Sequence, residues 1–576
     1  MKLKKFLVLA FLLLLSFTPQ AYAAQSLLDE LWKLDGVVSV DEIVQSIDVF
    51  KEKYIVWFEQ PIDWKNPSLG SFDQRVEIGF QGWDNVNVAC ASGYELDDKY
   101  FASDDRRELV KMYNGNFIKF EYRFFRESRP EGLSDDKPAL WNYLTNENAS
   151  YDFHNIMEQL RGILSGTWIF TGESKGGITT NVFSHFFPND ADAYVSYVAP
   201  FCDTPNDMRL VDAVFTTIGD ERYGAVQAKA YRDIMLNYMV EVIKHRDYIQ
   251  PRYFNLISDD AVLPQASIDV LVSPDRAHSN DVGFEAGLVH LVVGVWQYTD
   301  AFASFDEVLK MPHSTSADEI AYCQALLSLY RDNDDNETND DNNGSEGNEG
   351  DEGGNDSKAA AAGRTYTREE LMYPYTVQVE MELGGYGVTL KYLREALMRY
   401  GITLKATDEE ASMSPVHPDV LKTITYDPSL RRAMLNWTHT TQSNVMMIYG
   451  NSDPWYFVRL PDVTDNPNVH IFVVDGNHGA GIEGMTSADK AAATELLNTW
   501  LTSYPVDPVD PVDPVKSDDK KPGSGDKKPE PSDPTDPTTG GGVKVAGGTS
   551  GGCSSGFGVY GVMAAMFLAF RRKSVK

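Results

Sequence analysis

Apolar and β-branched residues gather in short runs along the first third of the chain, at 54–58, 74–83, 86–90, 116–123, 166–170 and 194–199. Runs of this length, bounded by turn-rich stretches such as 63–67 and the small-residue loop 91–94, predict buried strands. Between them, 143–163 and 178–187 predict helices, the second carrying neither glycine nor proline until Pro188. Strands that alternate with helices and are apolar on both faces predict a mostly parallel sheet covered on both sides. From 206 to about 419 the alternation stops. Helix-like runs at 223–245 and 389–400 stand on either side of an apolar, aromatic stretch at 284–305, predicting a mainly helical lid inserted after the sixth strand. The strand pattern returns at 444–449 and 469–474. The expected sheet domain is therefore assembled from two pieces, 24–205 and 421–504, with 206–420 between them.

The two ends of the chain have their own patterns. Residues 1–23 run from Lys2, Lys4 and Lys5 through an apolar stretch at 6–17 to Ala21-Tyr22-Ala23. This predicts a secretory signal peptide, since the apolar run is too short for a membrane span. After Tyr504 a V-D-P array gives way to Ser, Lys, Pro and Gly, predicting a linker over 505–549, first semi-rigid and then flexible. The last segment, 550–576, holds Ser550-Gly551-Gly552-Cys553, an apolar run at 557–570 and Arg571-Arg572-Lys573. It is similar to the SGGC-type C-terminal sorting tails of some bacteria. That similarity implies cutting near Cys553 by a sorting enzyme and display on the cell surface. A plain C-terminal membrane anchor is the alternative and predicts the same location.

Charge narrows the partners. The net charge of −34 disfavours nucleic acid and anionic membrane surfaces. Part of it is local: from Arg331 to Lys358 eleven acidic residues face two basic ones. Within that stretch, 332–357 has no aromatic residue and cannot bury enough apolar surface to offset its ordering entropy, so a disordered loop is expected. Its acidic residues lack the spacing of an EF-hand, which favours a solvated loop over a calcium site. Four cysteines, Cys90, Cys202, Cys323 and Cys553, do not make a disulfide scaffold. Cys202 and Cys323 can pair in an oxidising compartment and leave Cys90 free, but the connectivity stays open. No Cys/His spacing marks a metal site and no glycine motif marks a nucleotide, so neither metal nor cofactor is expected.

The chemistry gathers where the first sheet piece ends. Gly172-Glu173-Ser174-Lys175-Gly176 is a G-x-S-x-G lying between the strand 166–170 and the helix 178–187. In that setting it predicts the nucleophile elbow of an α/β-hydrolase fold, with the Ser174 Oγ exposed on a sharp turn. The Lys175 N–H then lies at a helix N-terminus, aimed where an oxyanion would form, and the second donor is expected from Gly93 or Tyr94. Asp453 and His478 follow the two returning strands, on the side of the sheet where such folds build their sites. The order Ser174, Asp453, His478 is that of the α/β-hydrolases.

Several further segments point the same way. Glu59-Gln60-Pro61-Ile62-Asp63-Trp64, Ser71-Phe72-Asp73-Gln74-Arg75-Val76, Glu121-Tyr122-Arg123-Phe124-Phe125 and the elbow occur in that order. Together they resemble the secreted bacterial prolyl tri/tetrapeptidyl aminopeptidases, serine peptidases related to lysosomal prolyl carboxypeptidase. The resemblance spans about 55–205 and 425–485, with Trp64 and Tyr122 standing where the family has histidine. Asp453 and His478 correspond to its N-D-P-W and G-x-H signatures. It implies a serine exopeptidase that cleaves peptides after proline near a free N-terminus. Trp455 is then a candidate wall for a proline slot, with Trp296 or Tyr298 closing it from the lid. Glu380 and Glu382 are candidates for the substrate ammonium, because the family carries a similar E-L-G segment.

Rival readings come from the residues themselves. Asp203 is an alternative acid, Asp475 reads as a turn-former and His154 as a packing histidine. Glu121 and Arg123 are expected to form a buried ion pair bracing the sheet. An esterase or lipase would use the same triad, and an acidic surface-binding protein on a decayed hydrolase scaffold is the alternative outside enzymes.

Overall fold

The computed structural model describes residues 26–43, 50–96, 107–134, 137–252, 277–335 and 368–501. Among the described residues, nine strands form one sheet: β1 (Val37–Glu42), β2 (Glu52–Pro61), β3 (Ser71–Phe80), β4 (Asn87–Ala91), β5 (Asn116–Phe120), β6 (Trp168–Glu173), β7 (Ala193–Tyr197), β8 (Val445–Gly450) and β9 (Val469–Val474). Their spatial order is β1-β2-β3-β5-β4-β6-β7-β8-β9. The pairs β1/β2, β2/β3 and β3/β5 run antiparallel, and every pair from β5/β4 to β8/β9 runs parallel. Set aside the edge strand β1, and this crossover order with a sharp G-x-S-x-G turn after β6 is the α/β-hydrolase fold. The strand β1 escapes the sequence pattern because it is a short, half-exposed edge with acidic residues at its end.

Two faces of the sheet are dry, which is why its central strands read as continuous apolar runs. Ile169, Val195, Met446 and Ile448 point to one face with Leu497 and Leu501. Their neighbours Phe170, Tyr194, Met447 and Tyr449 point to the other, beneath Phe153 and Phe183. Those last two belong to α1 (Asn146–Arg161) and α2 (Lys175–Phe186).

Between β7 and β8 the described chain is helical. Its main helices are α3 (Met208–Thr216), α4 (Ala225–Lys244), α5 (Ala277–Gly294), α6 (Phe302–Leu309), α7 (Ser316–Asp335), α8 (Arg368–Gln378), α9 (Lys391–Met398) and α10 (Ser429–Thr440). They do not form a single unit over the sheet. Residues from α3 to α7, with 386–411, share a core of their own around Met235, Tyr238, Trp296 and Phe305. Tyr373, Val377, Met381, Val420 and Met434 instead join the sheet core. The expected boundary at 206–420 thus encloses a stretch, from α8 to Leu383, that packs as part of the sheet domain.

The acidic stretch needs one correction. Its first residues, 332–335, complete α7 rather than beginning a disordered loop, and the remainder, 336–357, lies outside the described residues. So do the expected leader, the V-D-P linker, Cys553 and the expected C-terminal sorting segment. Among the described residues, no helix is long and apolar enough to cross a membrane. The suggested Cys202–Cys323 pairing does not form: both are buried free thiols, while Cys90 is disulfide-bonded.

Candidate active site

Ser174 occupies the turn from β6 into α2 with φ 55° and ψ −120°, a conformation that costs a non-glycine residue free energy and clusters at functional sites. Its N–H donates to the Tyr197 carbonyl at 3.0 Å, which pins the turn against β7. The elbow is also pressed onto the end of β4. A Cβ at Gly176 would stand 2.3 Å from the Ala91 oxygen, so only glycine lets the helix start so close to the strand. Lys175 is the first residue of α2, and its N–H is among the donors that a helix leaves without an intrahelical acceptor.

The loop after β4 lies directly against this turn. Gly93 has φ +80°, and a Cβ there would be 2.6 Å from the Gly176 nitrogen. Its carbonyl accepts from Lys175 Nζ at 2.5 Å. The Tyr94 side chain interacts with that of Ser174, and burial pushes the Tyr94 phenol well above its ordinary value. The expectation for Tyr94 is corrected in one respect. Its backbone N–H already donates to Ser92 Oγ at 3.2 Å, so its hydroxyl and not its amide reaches the serine.

The Lys175 side chain is a component that the sequence did not disclose. Its amine is buried with Nζ 3.2 Å from the Tyr122 ring centroid. Burial holds it well below its ordinary value, opposed by Glu382 and Glu95. Glu382 lies deep in the protein yet keeps part of its surface open. Its Oε1 accepts from Asn146 N, Asn146 Nδ2 and Gln378 Nε2 at 2.6, 2.8 and 3.0 Å. Burial raises its carboxyl to about 7. The neighbouring Glu380, also partly exposed, interacts with the Ser414 side chain and is raised by burial.

Asp453 and His478 meet at the carboxyl ends of β8 and β9. His478 Nδ1 lies 2.7 Å from Asp453 Oδ2, with both side chains almost wholly buried. A carboxylate accepting there places the ring hydrogen on Nδ1 and leaves Nε2 as the basic nitrogen. Asp453 Oδ1 accepts from Trp455 N at 3.1 Å, which fixes the carboxylate as the cap of the short helix Pro454–Val458. The helical segment holds these loops from above. His478 N donates to the Gln297 carbonyl at 2.9 Å. Arg222 Nη1 donates to Asp300 at 2.6 Å and to Ser452 Oγ at 2.8 Å, and that hydroxyl donates to the Gly476 carbonyl at 2.9 Å. The braces from Gln297 to His478 and from Arg222 to Ser452 join residues more than 150 positions apart, and no local pattern announces them.

The rivals are engaged elsewhere. Asp203 pairs with Arg209 at 3.0 Å and Arg431 at 3.1 Å. Asp475 accepts from Asn451 Nδ2 at 2.6 Å. His154 bonds Asp190 at 2.7 Å and stacks on Phe187.

Glu121 and Arg123 do not pair with each other, because the chain leaves β5 at Phe120 and the two side chains diverge. Arg123 forms a buried fork with Asp152 at 2.7 and 2.9 Å. Glu121 accepts from Leu96 N, Ser128 N and Ser128 Oγ. Trp64 donates its ring N–H to the same Asp152 at 2.7 Å, so the indole supplies one donor where the resembling family has histidine.

Two proposed slot residues are also corrected. Trp296 is fully buried, packed on Phe302 and Gly219 within the helical core. Trp455 is buried edge-on against Tyr386. Tyr298, by contrast, is 38% exposed and sets its ring edge-to-face with His478 at 5.8 Å. Tyr94, whose side chain interacts with Ser174, has Phe125 and Tyr375 against it at 5.9 and 5.7 Å.

The model of the PS-10 peptidase S37 family matches residues 23–515. A prolyl tri/tetrapeptidyl aminopeptidase from Streptomyces mobaraensis is 27% identical over 481 residues, covering 83% of this chain and 85% of that protein. Among solved structures, a proline iminopeptidase from Mycobacterium smegmatis is 11% identical with a TM-score of 0.28, over 78% of this chain and 99% of that one. The epoxide hydrolase VrEH1 from Vigna radiata is 12% identical with a TM-score of 0.27, over 78% and 98%. At such scores the fold rests on the strand order and not on these likenesses.

Proposed function

The chain belongs to the PS-10 peptidase S37 family and is a serine peptidase on an α/β-hydrolase fold, and we propose that it cleaves peptides after proline near a free N-terminus through an acyl-enzyme on Ser174. The observation that supports the mechanism is the buried 2.7 Å contact between His478 Nδ1 and Asp453, at the carboxyl ends of parallel strands on the sheet edge where β6 turns at Ser174. Ser174 Oγ attacks the scissile carbonyl while His478 Nε2 takes its proton. The tetrahedral oxyanion is received by the Lys175 N–H, with the Gly93 loop as the second wall. His478 then protonates the leaving amine, whose departure leaves the acyl ester. Water repeats the sequence and frees the serine. Asp453 holds the tautomer throughout and stabilises the imidazolium.

Specificity rests on the named relative and on what surrounds Ser174. Proline offers a rigid ring and no N–H, which suits an aromatic wall such as Tyr94 with Tyr375 and Phe125. Glu380 and Glu382 are the candidate carboxyls for a substrate ammonium, whose positive charge would favour their ionised forms. The leader and the C-terminal segment support export and attachment to the cell surface.

A chromogenic series tests this reading: Ala-Ala-Pro amide with a free N-terminus, its acetylated form, and the free Ala-Ala-Ala amide. The expected result is turnover of the first alone, abolished in Ser174→Ala by roughly three decades or more. Equal rates on all three substrates, or faster cleavage of simple esters, would replace prolyl specificity with a general hydrolase. Near-normal turnover in Ser174→Ala would remove the nucleophile assignment.

A further inference from the structure

A second cluster of chemically active side chains lies in the helical segment, apart from Ser174, Asp453 and His478. His245, the residue that ends α4, meets Glu319 and Cys323 of α7. The last two stand one helical turn apart and so face the same way. One nitrogen, one oxygen and one sulfur ligand atom lie within 4.8 Å of one another. They line a cavity of about 220 Å³ that Asp247 also borders.

Two details of the cluster point to a cation. His245 Nδ1 lies 2.8 Å from the Glu241 carbonyl, an oxygen that can only accept, so the ring hydrogen belongs on Nδ1. In that tautomer Nε2 presents a lone pair to Glu319 Oε1, 2.9 Å away. Two lone pairs at that distance need a positive charge between them, either a proton on the imidazole or a metal ion. Secondly, Cys323 is a free thiol, 97% buried and directed into the cavity. A proton satisfies His245 and Glu319 but leaves Cys323 unused. A metal uses all three.

The surroundings match those of a metal-ligating histidine. Such rings commonly donate their other N–H to a backbone carbonyl, which fixes tautomer and orientation. The His245 ring is further held edge-on by Tyr322 at 5.4 Å. The ligand set selects the metal class. Thiolate, imidazole and a single carboxylate suit a borderline-soft divalent ion, whereas calcium and magnesium demand oxygen ligands.

We infer that His245, Glu319 and Cys323 form a binding site for one zinc-class divalent ion, with the fourth position open to water or Asp247. Binding displaces the thiol proton and any proton held between His245 and Glu319. The ion clamps the end of α4 to α7 and leaves the peptidase site untouched.

The test uses the full chain, stripped with chelator and dialysed against zinc. One equivalent of zinc per chain is expected by elemental analysis. Cobalt in its place should give a thiolate charge-transfer band. Cys323→Ser should lose that band, and Cys323→Ser and His245→Ala should each weaken zinc binding at least a hundredfold. Zinc should raise the unfolding temperature of the wild type and not of Cys323→Ser. Peptidase activity of both variants should match the wild type, which also certifies that they fold. Absence of stoichiometric zinc, or stoichiometric zinc retained in both variants, would overturn the assignment. Neither result bears on the peptidase reading.

Discussion

Gly93→Ala probes the contact between the loop after β4 and the elbow. The new Cβ would lie 2.6 Å from the Gly176 nitrogen and 3.0 Å from the Lys175 carbonyl carbon, against 3.4–4 Å for ordinary contact. Both neighbours are backbone, so no side chain can swing away. The loop and the start of α2 must part by most of an ångström. Two effects follow. A left-handed φ of +80° costs an L-residue about 1–2 kcal/mol of stability. A displacement of about 1 Å in groups that hold the oxyanion costs on the order of 10²-fold in turnover.

Gly401→Ala separates the two, because Gly401 has φ +67° and a Cβ there would meet nothing within 4 Å. It should lose similar stability and keep full activity. The assay is kcat on a chromogenic peptide, paired with the rate of fluorophosphonate labelling, at a temperature where both variants are folded. Gly93→Ala should lose about two decades in both rates with KM little changed. If folded Gly93→Ala turns over within about threefold of Gly401→Ala, the loop does not set the oxyanion geometry.

Three further outcomes are expected. Asp453→Asn should lower kcat on the order of 10⁴-fold by fixing the wrong imidazole tautomer, while Asp203→Asn should be mild; the reverse ranking in steady-state kinetics would move the acid to the loop after β7. Asp152→Ala strips the buried Arg123 of its fork and Trp64 of its acceptor, so urea unfolding should show a loss of about 3–5 kcal/mol, and a loss below about 1 kcal/mol would contradict the pairing. Burial lowers His290 to about 4, so the native state binds fewer protons than the unfolded chain between there and the ordinary imidazole value. The stability present above that value should fall by about 3 kcal/mol as pH drops toward 4; His290→Gln should flatten this slope in thermal unfolding, and an unchanged slope would refute it.

The sequence alone determined the parts whose causes are local. Apolar runs such as 166–170 and 194–199 announce buried strands, because a strand covered on both faces has no polar side to show. The G-x-S-x-G announces a turn too tight for side chains at its flanks. The order of Ser174, Asp453 and His478 follows from the order of the strands that carry them. The tertiary structure decided whatever depends on approach between distant segments. Glu121 and Arg123 are two residues apart, yet their partners are Ser128 and Asp152, because the chain bends away after β5. Trp296 reads as an aromatic available for a slot, but a large ring is placed by the packing around it, and here that packing seals it. Arg222 reaches Ser452, and Gln297 holds His478, across separations with no sequence signature. The same is true of His245, Glu319 and Cys323: their spacing of 74 and 4 residues has no meaning until two helices lie side by side.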